Sequence, residues 1–194
     1  MEKLRGEVGA QPCYHFFTFL KQNYIIAVFY FHLPHPRSRY EAVALAYGAA
    51  EVVTIEYNAR ASEDPRLAFL TPAQFAAAPR RFDAVISISS FEHDGLGRYG
   101  DPLDGSGDLK AMRNVHDNLL VDGGLLYLAV PMGPDVVVFN AHRIYGPLRW
   151  PLLTAGWEVV DSEGFTEALW TDGQMGDFNK QPVFVLKVAP LEDD

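Results

Sequence analysis

The sequence predicts an α/β domain with a Rossmann-like, mostly parallel sheet and an antiparallel edge strand. Three observations predict it. Apolar, β-branched runs of strand length alternate with capped helical segments. Several of those runs are continuously apolar, as strands covered on both faces must be. The β-then-α repeats end in two consecutive strands, the pattern of a parallel sheet closed by an antiparallel edge.

Residues 24–33 (YIIAVFYFHL) form the first such run, placed to be the central strand. After Pro34 and Pro36, Ser38-Arg39-Tyr40-Glu41 has the spacing of a capping box and should start a helix, with Tyr40, Val43, Ala44 and Tyr47 on one face and Gly48 ending it. Residues 51–57 (EVVTIEY) are the second strand, and so short a helix between the two favours a right-handed parallel crossover. Residues 67–70 are a third strand running into a second capping box, Thr71-Pro72-Ala73-Gln74, whose helix Pro79 stops.

Residues 82–89 (FDAVISIS) are the clearest strand. Beyond a polar, glycine-rich loop, Leu109, Met112, His116, Leu119 and Leu120 make an apolar helical stripe that Gly123-Gly124 is expected to end, leaving residues 125–130 as a fifth strand. A short helix around residues 148–154 and strands at 157–162 and 183–188 complete the series. No Gly/Ser or Pro-rich linker divides the chain, so residues 24–190 are expected to be one domain behind a poorly defined segment 1–23.

A net charge of −9 with no cluster of Lys and Arg excludes a general nucleic-acid binder. The single cysteine, Cys13, excludes an internal disulfide and a multi-thiolate zinc site, and fits a reducing, cytoplasmic setting. Residues 13–33 are apolar, but Lys21, Gln22 and Asn23 split them into runs too short to span a bilayer; a signal anchor stays open as the alternative. Nothing in the sequence sets an oligomeric state.

In an open parallel sheet, ligands collect beyond the carboxyl ends of the strands, so chemistry is sought in the segments that follow each run. Glu56 ends the second strand, where a carboxylate can accept from two ribose hydroxyls. Ser38 lies in the turn after the first strand, which offers side-chain donors and a helix N-terminus but no glycine for close backbone approach to a cofactor. Residues 89–94 (SSFEHD) follow the best strand, and Glu92 or His93 could serve there as general base. In the same loop Glu92 and Asp94 could instead cap amides, with Asp101 and Asp104 ordering a Gly/Pro turn. Residues 140–146 (NAHRIYG) follow the fifth strand and should bring His142 and Arg143 to the same place. Glu92, His93 and His142 have a composition a divalent metal would accept but no known ligand spacing, so hydrogen-bonded pairs are expected and no metal.

The stretches RYEAVALAYGAAEVVTIEYN, FDAVISISSFEHDGLGRYGDPLD, GDLKAM and FNAHRIYG resemble domain of unknown function family 268, a eukaryotic family similar to class I S-adenosylmethionine (SAM)-dependent methyltransferases. The resemblance covers residues 39–188. It implies a methyltransferase-type sheet of seven strands, Glu56 against the cofactor ribose, Thr71 near the adenine edge, and residues 89–93 lining the transfer site. Candidate cofactor-binding residues are therefore Ser38, Glu56, Thr71, Ser89 and Ser90; candidate catalytic residues are Glu92, His93, His142 and Arg143. The expected function is SAM-dependent methyl transfer to a small polar or glycan-like acceptor. The alternative is a catalytically silent binding domain that keeps the fold and has lost the cofactor.

Overall fold

The computed structural model describes residues 25–29, 39–56, 61–172 and 180–189. Residues 1–24, Cys13 among them, and Ser38 lie outside them. Seven strands form one sheet: β1 (Ile25–Phe29), β2 (Glu51–Ile55), β3 (Leu67–Leu70), β4 (Phe82–Ile88), β5 (Leu120–Ala129), and at the far side the last two strands, Trp157–Glu163 and Val183–Val188. From one edge to the other the order is β3, β2, β1, β4, β5, Val183–Val188, Trp157–Glu163. The first five are mutually parallel. Val183–Val188 runs antiparallel to both of its neighbours, so the antiparallel element sits one place in from the edge.

Helix α1 (Arg39–Ala46) joins β1 to β2 and ends at Gly48, whose φ of 98° is the left-handed turn expected there. Helix α2 (Pro72–Ala77) starts with the full capping box: Gln74 N donates to Thr71 Oγ1 at 3.2 Å and Thr71 N donates to Gln74 Oε1 at 2.8 Å. Helix α3 (Gly107–Asn114) precedes β5.

One face of the sheet packs Ala27, Val53, Val85, Leu126 and Leu128 against Met112, Val115, Trp150 and Leu153. The other packs Ile26, Val28, Val52, Ala84 and Ile86 against Ala44 of α1. The central strands are thus covered on both faces, as their continuously apolar sequences require. Glu41, fully buried on α1, accepts from Thr54 Oγ1 of β2 at 2.8 Å, so a polar pair sits within the second layer without an orphaned hydroxyl.

Two expectations need correction. The helical stripe was expected to run through Leu120 to Gly123; instead α3 stops at Asn114, one π turn (Val115–Leu119) follows, and Leu120 already belongs to β5. The wider turn lets the Leu120 amide reach Val115 O, and Leu120 then pairs with Phe82. The register next jumps to Ala84 opposite Leu125, and Gly123, at φ 76°, makes the bulge that absorbs the extra residues. The second correction concerns residues 140–146, expected as a loop: with the preceding residues they form a separate antiparallel hairpin, β6 (Val136–Val138) and β7 (His142–Ile144). Asn140 turns it with φ 53°, a conformation asparagine tolerates. The remaining elements are α4 (Trp150–Leu153), β8 (Trp157–Glu163), α5 (Leu169–Asp172) and β9 (Val183–Val188).

Candidate functional site

Strand order reverses between β1 and β4, so the crevice of this sheet opens at their carboxyl ends. Ile55, Phe29 and Ser87 stand in one row across β2, β1 and β4. Glu56 therefore lies on the same rim as the segment after β4, about 10 Å away across two strand spacings. It is 6% exposed, and its amide donates to Leu70 O at 3.0 Å.

The chain leaves β4 through Ser89, a non-glycine residue at φ 51°, and enters a 3-10 turn, Phe91–His93. That left-handed step aims Ser89 Oγ at Glu92 Oε1, 2.7 Å away, while Gln181 Nε2 donates to the same hydroxyl at 3.3 Å. Glu92 is fully buried, and its Oε2 has no hydrogen-bond partner among the described residues. Burial pushes its carboxyl up to about 7; the Ser89 hydroxyl and the nearby amides of Glu92 and Ser90 pull the other way and lose.

His93 Nδ1 lies 2.5 Å from Ala141 O. A carbonyl only accepts, so the proton is on Nδ1 and the lone pair on Nε2, which stands 3.6 Å from Glu92 Oε1. Burial lowers the His93 pKa, against the Ala141 bond, which raises it; His142 and Arg98 lower it further. The His93 ring meets Tyr99 edge-on at 5.6 Å and His142 at 6.4 Å. The His142 pKa is lowered as well, by burial and then by Arg98.

Arg143 points inward. It is 1% exposed, and its guanidinium donates to the carbonyls of Asp94 at 2.6 Å and of Glu92 and Asp104 at 3.3 Å each. Its bonds are thus to the loop backbone. Asp101 accepts from the amides of Gly97 and Tyr99, and Asp104 from Ser106 N and Lys110 Nζ, so both carboxylates order the Gly/Pro turn. Gly95 (φ 77°) leaves no space for a side chain, since a Cβ there would come within 2.1 Å of Asp104 O.

Thus residues 89–94 and 140–146 come together, and Glu56 shares their rim. Thr71 caps α2 just beyond β3. Ser90 is 1% exposed and lines, with Ile55, Phe75, Phe91 and Asp94, a groove of about 750 Å³ between α2 and α3 that runs from this rim toward Arg80 and Arg81 before β4. The sequence reading missed two residues. Asp94, an amide cap in the alternative reading, is pushed up to about 8 by burial and by Asp101 and Asp108, and lines the groove. Asp108, fully buried, accepts two hydrogen bonds from Arg149, at 2.6 and 2.9 Å, and one from Tyr145 OH at 3.0 Å. A lone acid at the second position of an amphipathic helix was the only signal. Among the described residues no group of three or more His, Cys, Asp or Glu is arranged to hold a metal ion, and no helix is long and apolar enough to cross a membrane.

Sheet order and antiparallel insertion are those of the class I methyltransferase fold, and solved structures share it. TehB from Haemophilus influenzae superposes with a TM-score of 0.57 at 11% identity, covering 97% of this chain and 65% of TehB. SMU.776, assigned to the methyltransferases and crystallised with SAH, gives 0.52 at 10% identity over 89% of this chain and 47% of its own. A SAM-dependent methyltransferase from Mesorhizobium loti gives 0.50 at 13% identity over 91% and 96%. The chain belongs to the family described as Caenorhabditis protein of unknown function, DUF268, whose model matches residues 35–176. No curated protein sequence matches it.

Proposed function

We propose that the chain is a SAM-dependent methyltransferase acting on a small polar or glycan-like acceptor. The observation that carries the reading is the placement of Glu56 and the Glu92–His93 pair on one rim, where strand order reverses. The residues fit the cofactor: the buried Glu56 carboxylate suits two ribose hydroxyls, and the groove edged by Ile55, Phe75, Phe91 and Asp94 suits a flat heteroaromatic ring. Bound SAM supplies an electrophilic methyl group. Glu92, with its carboxyl near 7, takes the proton of an acceptor hydroxyl at Oε2, while Ser89 holds Oε1. The neutral Nε2 of His93 borders the same carboxyl and offers the proton a second station.

A silent binding domain is the second reading, and one observation favours it: Glu92 is fully buried, so an acceptor must reach Oε2 from within the protein. Incubation with methyl-labelled SAM and pooled small polar acceptors, glycans included, separates the two. Transfer by the native chain that falls about 100-fold or more in Glu92→Gln, at unchanged SAM affinity, supports the enzyme. SAM binding without transfer to any acceptor supports the silent domain.

A further inference from the structure

We propose that Asp108 and Arg143 are positioning residues for the Glu92–His93 pair, and that the hairpin β6–β7 is the element through which they set which atoms of that pair can exchange a proton. The proposal rests on reading Glu92 and His93 as the proton-accepting pair of the transfer.

The loop from residue 92 to residue 104 departs from β4 and returns to the start of α3, and Arg143 ties both of its ends. One guanidinium holds the carbonyls of Glu92 and Asp94 on the outgoing side and of Asp104 on the returning side. A planar fork with five donors can make all three bonds at once, whereas an ammonium on a single stem cannot do so in the same plane. Asp108 anchors the fork. Its Oδ1 lies 3.7 Å from Arg143 Nε, while Arg149 and Tyr145 OH hold the carboxylate from the other side. Burial, with Asp108 and Glu92 nearby, keeps the Tyr145 hydroxyl protonated and hence a donor.

Two residues before Arg143, the Ala141 carbonyl takes the Nδ1 proton of His93. The same hairpin therefore fixes the backbone from which Glu92 projects and the tautomer that turns the His93 lone pair toward Glu92 Oε1. Gly107 permits the approach: a Cβ there would stand 2.6 Å from the Asp94 carbonyl that Arg143 grips.

The test uses the full chain, isotope-labelled, without cofactor or acceptor. Imidazole nitrogen shifts report the His93 tautomer, and the side-chain carboxyl carbon reports the Glu92 midpoint. In Asp108→Asn and Arg143→Lys, with the fold verified by circular dichroism, His93 is expected to lose its fixed Nδ1–H form. The Glu92 midpoint is expected to fall by roughly one unit or more as water reaches the loosened turn. A lower Tm with the native tautomer and native midpoint would show a brace with no bearing on the pair, and would overturn the proposal. If Arg143→Lys does not fold, the isosteric Asp108→Asn decides alone, with Tyr145→Phe as the milder variant expected to move both signals in the same direction. Neither signal needs SAM. Failure to bind the cofactor would remove the methyl-transfer reading and leave these shifts as expected, whereas unmoved signals in a chain that binds SAM would remove only the positioning.

Discussion

Ser89 donates its hydroxyl to Glu92 Oε1 at 2.7 Å from a backbone held at φ 51°. A serine in that conformation is strained, and the strain is offset by a hydrogen bond to a buried carboxyl that burial would otherwise leave more protonated still. Removing the hydroxyl should raise the Glu92 midpoint above about 7 by roughly one unit, since the bond favours the charged form. Carbon-detected titration of Ser89→Ala measures this. An unmoved or lowered midpoint would mean that the hydroxyl does not stabilise the carboxylate.

The same carboxyl gives stability a pH dependence. Its folded midpoint, about 7, lies above the ordinary 4.5, so its contribution to folding is full below about 4.5 and is lost as pH rises through about 7. Asp94, raised from 3.8 to about 8, acts in the same direction over a wider window. Urea unfolding of Glu92→Gln against the native chain should show the variant gaining on the order of 2 kcal/mol relative to native between pH 5 and pH 8. A constant difference across that range would contradict the assignment.

Gly95 and Gly100 both have left-handed φ, at 77° and 87°, but only Gly95 is hemmed in by the Asp104 backbone. Gly95→Ala must force two crossing strands of the loop apart and should cost about 3 kcal/mol or more; Gly100→Ala meets only the conformational penalty of about 1 kcal/mol. Chemical denaturation of the two variants checks the ordering. Equal costs would show that the loop does not cross itself as described.

Much of the sheet was legible because its signals are local. Continuous apolar runs marked β1, β2 and β4, the Thr71–Gln74 spacing marked the start of α2, and Gly48 marked the end of α1. The convergence of residues 89–94 with 140–146 followed from asking what leaves the carboxyl ends of parallel strands. What escaped has non-local causes. The π turn before β5 is set by the pairing of Leu120 with Phe82, which outweighs a helical pattern that reads well through Leu120. Asp108 matters through Tyr145 and Arg149, about forty positions away, and no spacing rule joins them. Arg143 reads from the sequence as a candidate catalytic residue, but sequence gives its type and not its direction; the hairpin turns it onto loop carbonyls.

The proposed methyl transfer requires SAM held at the rim by Glu56. Isothermal calorimetry of SAM and SAH against the native chain and Glu56→Ala tests that most directly. The account predicts micromolar affinity for both ligands in the native chain, weakened roughly 100-fold when the carboxylate that accepts from the ribose is removed. No heat with either ligand on a folded sample, or equal affinity in Glu56→Ala, would contradict it.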